Sequence, residues 1–522
     1  MKPKNLLLSL AFLFLVQLNY SQSLDNSFNN NGIVMSPNSS GKDIIVGPTG
    51  LIYTISDFWG NQWDLKLSRL LSNGLPDISF GSGGTVITDI SGGSTDLGTV
   101  VLLQPDGKII VGGVTSNGGF NFRLVLVRYT DSGELDISFG SSGIVVANTS
   151  AYFEFVSTAL LQNDGKIILL GTDSNGDNLD VVAVRYENNG NLDFTFGTNG
   201  YFRYDFSNGN DRVMDAMIQS DGKIVIVGNT LPYDSTSWDS FALRIDNSGT
   251  IDYSFGSSGV IILSPGDGND LIGSVAPQSD GKLILYGSTY NGSIYLKFYA
   301  CRLNTNGSMD FSFAVNGHAF IEYESELFQC HHPGKVIIQP DDKLLLIGGT
   351  DSIACSTCLH NKDFSIIRLT PEGFKDVTWG NDGIFKIGLS SIWILGESRE
   401  YLQSGCLQQD GKLLVIGNYQ NGSADIVMRL NTDIVIFTEE PKNLSNEVAT
   451  VFPNPVLDNV NVLFDVIPTG TIELYNSIGL KIYHLDSDEK HTIINTENFA
   501  KGIYFIRILN NNKSFTKEII LQ

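Results

Sequence analysis

Along most of the chain, apolar residues come in short runs separated by glycine- and aspartate-rich turns, a pattern of strands and not of long surface helices. One run recurs on a regular beat: QPDGKIIVGG (104–113), QNDGKIILLG (162–171), QSDGKIVIVG (219–228), QSDGKLILYG (278–287), QPDDKLLLIGG (339–349) and QQDGKLLVIG (408–417). A degenerate first member, VGPTGLIYTI (46–55), makes seven. Asp-Gly between two β-type runs predicts a hairpin, because glycine takes the positive φ that such turns need. A second run is a short strand closing on arginine, seen in KLSRL, LVLVRY, VVAVRY, FALRI, YACRL, SIIRL and IVMRL. It places Arg69, Arg128, Arg185, Arg244, Arg302, Arg368 and Arg429 at matching points.

A third phrase keeps the same beat. It reads LDNSFNNNG (24–32), PDISFGSGG (76–84), LDISFGSSG (135–143), LDFTFGTNG (192–200), IDYSFGSSG (251–259), MDFSFAVNG (309–317) and KDVTWGNDG (375–383). Its aspartates, Asp25, Asp77, Asp136, Asp193, Asp252, Asp310 and Asp376, stand 52 to 66 residues apart. Each repeat offers four strands: after the SFG turn, before the DGK turn, after it, and the one carrying arginine. Four antiparallel strands per unit predict an all-β fold, a seven-bladed β-propeller of four-stranded blades.

From Arg69 to Asp77 is eight residues, and the same step links the next five arginines to their aspartates. Arg429 has Phe437 at that distance, and Asp25 has no arginine strand before it. A ring closed by the N-terminal segment would bring Asp25 to Arg429 and leave no sheet edge between the ends. Two roles for these aspartates are open, an ion pair with arginine or an Asx-turn cap on the local backbone. Both are architectural, and seven equivalent copies nominate no catalytic residue.

The phrases L-D-x-S-F-G and Q-x-D-G-K-I-x-x-G resemble the delta-60 repeat family of bacterial exported proteins over residues 24–430. The resemblance implies a propeller-like scaffold with no agreed activity.

Residues 1–22 have the order of a signal peptide: Lys2 and Lys4, an apolar stretch from Leu6 to Leu18, then Ser21-Gln22. That stretch is too short to span a bilayer, and no later run of about 18 apolar residues follows. Residues 23–432 are then the propeller and 433–448 a linker. Alternating apolar positions in 449–522, such as Ile472, Leu474 and Tyr475, predict a small C-terminal β-sandwich. This tail resembles the type A C-terminal sorting domain of the type IX secretion system. The marks are Pro453-Asn454-Pro455, Asn476-Ser477-Ile478-Gly479, Gly502-Ile503-Tyr504-Phe505 and Lys517-Glu518-Ile519-Ile520. The resemblance implies export to the periplasm, passage through the outer membrane by the type IX machinery, and a secreted or surface-attached product.

Charge narrows the partners. The formal net charge is −23, or −25 once Lys2 and Lys4 leave with the leader. Phosphate-rich partners are repelled, which excludes nucleic acid. Five cysteines are present, three of them in the enlarged sixth unit as Cys330, Cys355 and Cys358, near His331, His332 and His360. A disulfide from Cys330 to Cys355 or Cys358, a zinc site using Cys330, His331, Cys355, Cys358 and His360, and free thiols are the open readings. Cys301 and Cys406 are expected to be unpaired core residues. DSNGDNLD (173–180) and SPGDGND (264–270) gather oxygen ligands, but the first lacks an EF-hand's glycine at the sixth position and glutamate at the twelfth, where Val184 stands, and solvated turns are expected in place of calcium. No cofactor is expected. Neither G-x-S-x-G, nor H-E-x-x-H, nor a phosphate loop in a strand-to-helix setting occurs. The sequence reads first as a monomeric, non-catalytic exported scaffold binding a glycan, protein or surface. The alternative is a polysaccharide- or peptide-degrading hydrolase or lyase with its site over the propeller channel.

Overall fold

A computed structural model describes residues 24–432 and 449–521, apart from 91, 94, 117–121, 148–151, 175–177, 267, 291–295, 322–327, 353–360, 388–400, 420–422, 453–458, 465–469, 477–480, 488, 497–498, 500–501 and 511–512. All regular structure among these residues is β-strand. The described residues form two compact units, the larger taking most of residues 24–432 and the smaller residues 449–521.

The larger unit is built from four-stranded antiparallel sheets, the blades of a β-propeller, and seven such sheets are described. In the first, the strand order is Ser39–Val46, Ile52–Trp59, Trp63–Leu70 and Thr85–Thr88. The next five repeat this order, beginning at Asp96–Leu103, Tyr152–Leu161, Asn210–Ile218, Asp270–Pro277 and Phe328–Ile338. The seventh takes Tyr401–Leu407, Leu413–Tyr419 and Ala424–Leu430, and its fourth strand is Ile33–Pro37, from the other end of the repeat region.

The second strand of the second sheet, Ile109–Ser116, is buried at every position. It lacks the in-out alternation of a one-sided sheet because both of its faces are covered by other sheets. Each sheet shares a buried apolar cluster with the next, from the first and second sheets through the intermediate pairs to the sixth and seventh. A further cluster joins the seventh to the first through Leu414, Ile416 and Val427 on one side and Ile44, Ile52 and Leu70 on the other, with Phe28 among them. The first strands of successive sheets touch in the same order, and Tyr401–Leu407 touches Ser39–Val46. These first strands therefore stand nearest the axis.

The N-terminal phrase joins the seventh sheet directly. Ile33 pairs with Met428 and Pro37 with Ala424 in antiparallel register. Leu24 bridges to Leu430, and the Asp25 N–H donates to the Arg429 carbonyl at 2.8 Å.

The smaller unit has a three-stranded sheet, Ala449–Phe452, Asn459–Phe464 and His491–Asn495, and a four-stranded one, ordered Lys481–Ser487, Gly470–Asn476, Gly502–Asn510 and Lys513–Leu521. Val451, Val460 and Val462 of one sheet and Ile472, Leu474, Ile506, Ile508 and Ile519 of the other form a single core, a small sandwich. Among the described residues no helix is long and apolar enough to cross a membrane.

Candidate functional site

Three polar arrangements in the larger unit could carry function, and they differ in how far the fold itself uses them. The first is the arginine and aspartate of each repeat. In the third repeat, Asp193 Oδ2 accepts Arg185 Nε at 2.7 Å and Lys166 Nζ at 2.7 Å. Its Oδ1 accepts the Thr195 N–H at 3.0 Å and the Thr195 hydroxyl at 2.6 Å. The ion pair and the Asx-type cap are thus both present, one on each carboxylate oxygen. Below, the Arg185 guanidinium lies 4.6 Å from the Phe196 ring centroid, and its Nη1 donates to the Asn247 carbonyl of the following sheet.

The arginine–aspartate bond recurs with Arg Nε to Asp Oδ2 distances of 2.7 to 2.9 Å at Arg69–Asp77, Arg128–Asp136, Arg244–Asp252, Arg302–Asp310 and Arg368–Asp376. Arg429 and Asp25, 404 positions apart in sequence, lie at 2.9 Å, with Arg429 Nη2 donating to Ser27 Oγ at 2.8 Å and Nη1 donating to the Ser72 carbonyl of the first sheet. Burial by itself would raise Asp25, Asp136, Asp193, Asp252 and Asp310, yet the lysine of the DGK turn, the Ser or Thr hydroxyl and N–H, and the arginine charge hold all five below the usual carboxylate range. Every arm of this module is spent on holding one sheet together or bolting it to the next.

The second arrangement is at the axis. Each first strand breaks register with its neighbour at a bulge, and a bulge re-aims the side chains beside it. The residue four places before the Gln of the DGK phrase sits there. Around the ring it is Asp43, Val100, Thr158, Asp215, Ser274, Lys335 and Ser404. Asp43 accepts the Ser404 hydroxyl at 2.7 Å and the Val101 N–H at 3.1 Å. Asp215 accepts the Ser274 hydroxyl at 2.8 Å and the N–H groups of Val275 and Ala216 at 3.1 and 2.9 Å.

Lys335 belongs to the sixth sheet, where the irregularity takes in both Gly334 and Lys335. A Cβ on Gly334 would lie 2.5 Å from the Leu402 carbonyl oxygen, so only glycine permits this approach of the sixth and seventh first strands. Burial works against the Lys335 ammonium, but Asp43 and Asp215, on the first and fourth sheets, raise its pKa above the ordinary lysine value. Burial pushes Asp215 up as well, and it pushes the Cys406 thiol up to about 12. Val336, next to Lys335, donates its N–H to Ser274 Oγ at 3.3 Å, the hydroxyl that in turn donates to Asp215, so the Lys335 position adjoins the carboxylate network of the fourth and fifth sheets. Nothing in the repeat pattern marked these residues. The available signal was a fixed position reading D, V, T, D, S, K, S while its surroundings repeat.

The third arrangement corrects an expectation. Asp173, Asp180 and Asp270 are buried, not solvated turn residues. Asp173 and Asp180 are cross-strand partners on the second and third strands of the third sheet, and Arg203 pairs with Asp173. The strand edges thus extend further into DSNGDNLD than its loop-like composition indicates. Carboxylate oxygens of Asp180, Asp205 and Asp211 lie within 4.8 Å of one another, as do those of Asp64, Asp89 and Asp96 at the corresponding place two repeats earlier. Burial raises Asp211 to about 7, with Asp205 and Asp180 adding to the shift. Asp270 is also raised by burial, although Thr289 donates to it.

Of the remaining sequence candidates, Cys355, Cys358 and His360 lie outside the described residues, and Cys330 and His331 are described only as strand backbone. The zinc and disulfide readings fall there. Cys301 is buried and Cys406 half-buried, both as free thiols. Of the sorting marks, Pro453, Asn454, Pro455 and Gly479 are likewise outside the described residues, and Gly502 opens a strand. Tyr504 is buried in the sandwich core, and Lys517 Nζ donates to the Val451 carbonyl at 3.0 Å, tying the two sheets of the sandwich.

Comparison with known proteins adds two family matches. Residues 450–522 match the secretion system C-terminal sorting domain. Segments 104–139, 162–196, 219–255, 278–313 and 408–433 match DUF5122, a β-propeller domain of unknown function. A curated relative, ulvan lyase NLR42 of Nonlabens ulvanivorans, is 30% identical over 81 residues, which is 15% of each chain. Among solved structures, the chain is similar to PorZ, a surface component of the type IX secretion system of Porphyromonas gingivalis, at 12% identity and TM-score 0.36, covering 91% of this chain and 58% of that one. It is similar to an α-L-arabinanase of Penicillium chrysogenum at 11% identity and TM-score 0.39, covering 60% and 91% of the two chains. The β-propeller domain of the Trilobed protease of Pyrococcus furiosus matches at 10% identity and TM-score 0.38, covering 75% and 95%. Likenesses at this level carry no functional argument.

Proposed function

We propose that this chain, which carries DUF5122 β-propeller repeats and a secretion system C-terminal sorting domain, is a monomeric, non-catalytic binding or adhesion scaffold displayed outside the cell. The sorting domain directs export through the type IX system to the cell surface or the medium. In this reading residues 1–22 are the leader, 23–432 the propeller, 433–448 the linker and 449–522 the sorting domain. Asp25 and Arg429 close the ring. Pro453, Asn454, Pro455, Gly479, Gly502, Tyr504 and Lys517 serve the sorting signal.

One observation carries the binding role. The residue after the aspartate of the third phrase is a large apolar side chain in six repeats, namely Ile78, Ile137, Phe194, Tyr253, Phe311 and Val377, and each is at least 64% exposed. The fold has no use for these side chains, since the aspartate before them and the Ser or Thr after them make the girdle bonds. Exposed apolar groups in a repeated arrangement mark an interaction surface. Three successive ones are aromatic and suit stacking on sugar rings or on a protein partner. Multiplicity gives avidity from weak single contacts.

The test is a glycan and surface-protein array probed with the exported protein and with a Phe194→Ser, Tyr253→Ser, Phe311→Ser variant. Loss of signal by tenfold or more with unchanged melting is expected. Equal signal, or turnover of a bound polysaccharide by the wild type, would favour the lyase or hydrolase reading. Deleting 449–522 should leave the protein in the periplasm, which fractionation checks.

A further inference from the structure

We infer that the ring of residues at the axis is a second binding site, for a non-anionic saccharide or similar polyol, built around Lys335, Asp43 and Asp215. It goes beyond the exposed apolar arc, and its residues take no part in the girdle.

The argument begins with symmetry. At the position four before the repeat glutamine, an architectural role would select one residue type seven times, as it did for the arginine and the aspartate. Instead the ring holds two carboxylates, one ammonium, three hydroxyls and one valine. Chemistry that departs from the repeat at one level of the axis is a feature the repeat does not need.

Hydrogen bonding then separates the three charged groups. Asp43 has two protein donors and Asp215 three, among them the hydroxyls of Ser404 and Ser274 from adjacent sheets. Both carboxylates are fixed in place without the lysine. Among the described residues no protein acceptor lies within hydrogen-bonding distance of Lys335 Nζ, although the electrostatics keep it charged. Lys335 is half-buried, so its ammonium, which has three N–H donors to offer and no acceptor, is open to water or to a ligand in place of water. The site therefore presents open donors at Lys335 with carboxylate lone pairs opposite.

Hydroxyl groups match this set, because each accepts from the ammonium and donates to a carboxylate at once. Anionic ligands match it poorly: two carboxylates face them for one ammonium, in a chain of net charge −23. Amine ligands match it poorly, because the Lys335 ammonium offers them no acceptor and repels a second cation. Thr158 on the third sheet stands at the same position of the repeat with a hydroxyl, whereas Val100 on the second packs into the core between the second and third sheets.

Titration calorimetry of the full chain against cellobiose, xylobiose, mannobiose, galacturonate and glucosamine tests the site. A neutral disaccharide is expected to bind. Lys335→Met should weaken it at least tenfold, Lys335→Arg should retain part of it, and the exposed Lys386→Met should leave it unchanged. The Phe194, Tyr253 and Phe311 serine variant should also retain it, which separates this site from the surface arc. Melting curves screen the variants, and if Lys335→Met fails to fold, Thr158→Val is expected to weaken binding instead. Binding by none of the neutral sugars, binding only of galacturonate or glucosamine, or full affinity in both Lys335→Met and Thr158→Val would overturn the inference.

Discussion

At the scale of single residues, the molecule rests on a carboxylate whose two oxygens do different work. Oδ2 of Asp193 holds the Arg185 charge and Oδ1 caps the turn. Arg185→Ala removes one partner of a buried pair and also the bolt to Asn247, so a loss of about 3–5 kcal/mol is expected in urea denaturation. Asp193→Asn keeps a capping oxygen and should cost less. Six of these aspartates have folded pKa values below the unfolded one, so their stabilisation is complete above the ordinary carboxylate value and is lost as pH falls beneath it. Melting temperature should drop steeply below about pH 4, and less steeply in Asp193→Asn. A wild-type midpoint flat from pH 5 to pH 2 would contradict the assignment.

At the scale of elements, the legible and illegible parts of the sequence separate by range. Hairpins at Asp-Gly, the arginine strands and the aspartate turns could be read because each is local chemistry written several times over. The glycine of each arginine-strand turn is a case of the same kind: Gly249, at φ +81°, lies where a Cβ would sit 2.9 Å from the Phe196 ring of the preceding sheet. The acidic stretch 173–180 was misread because local composition signals a solvated loop, whereas strand pairing and the next sheet bury its ends. The axis ring was invisible because it is assembled from seven distant positions, each unremarkable alone. Crowding at the edge of the third and fourth sheets leads to a test. Asp211 has its folded pKa raised to about 7, so stability is greatest below the ordinary carboxylate value and is lost as pH rises toward 7. Asp211→Asn should therefore stabilise by roughly 1–3 kcal/mol at pH 8 and by nothing measurable at pH 3.5. Equal effects at both values would show that charge is not the cause.

At the scale of the whole molecule, the pairing of Ile33–Pro37 with Ala424–Leu430 joins the two ends of the repeat region. Removing residues 24–37 takes away the fourth strand of the seventh sheet, the Phe28 ring from the cluster shared with the first sheet, and the partner of Arg429. The resulting chain exposes a sheet edge and leaves a guanidinium without its carboxylate, so lower melting temperature and self-association are expected by calorimetry and light scattering. A peptide spanning 24–37 added in trans should restore part of the loss.

The borrowed strand also governs when the protein can finish folding. A ribosome or a translocon delivers Ile33–Pro37 first and its partner almost last, so the final sheet waits for the chain to be nearly complete, at a large loop-closure cost. Moving residues 24–37 to follow Thr432 in a circular permutant would make that sheet contiguous. Such a variant should keep the native melting temperature, fold faster, and pass the export machinery with less time spent open.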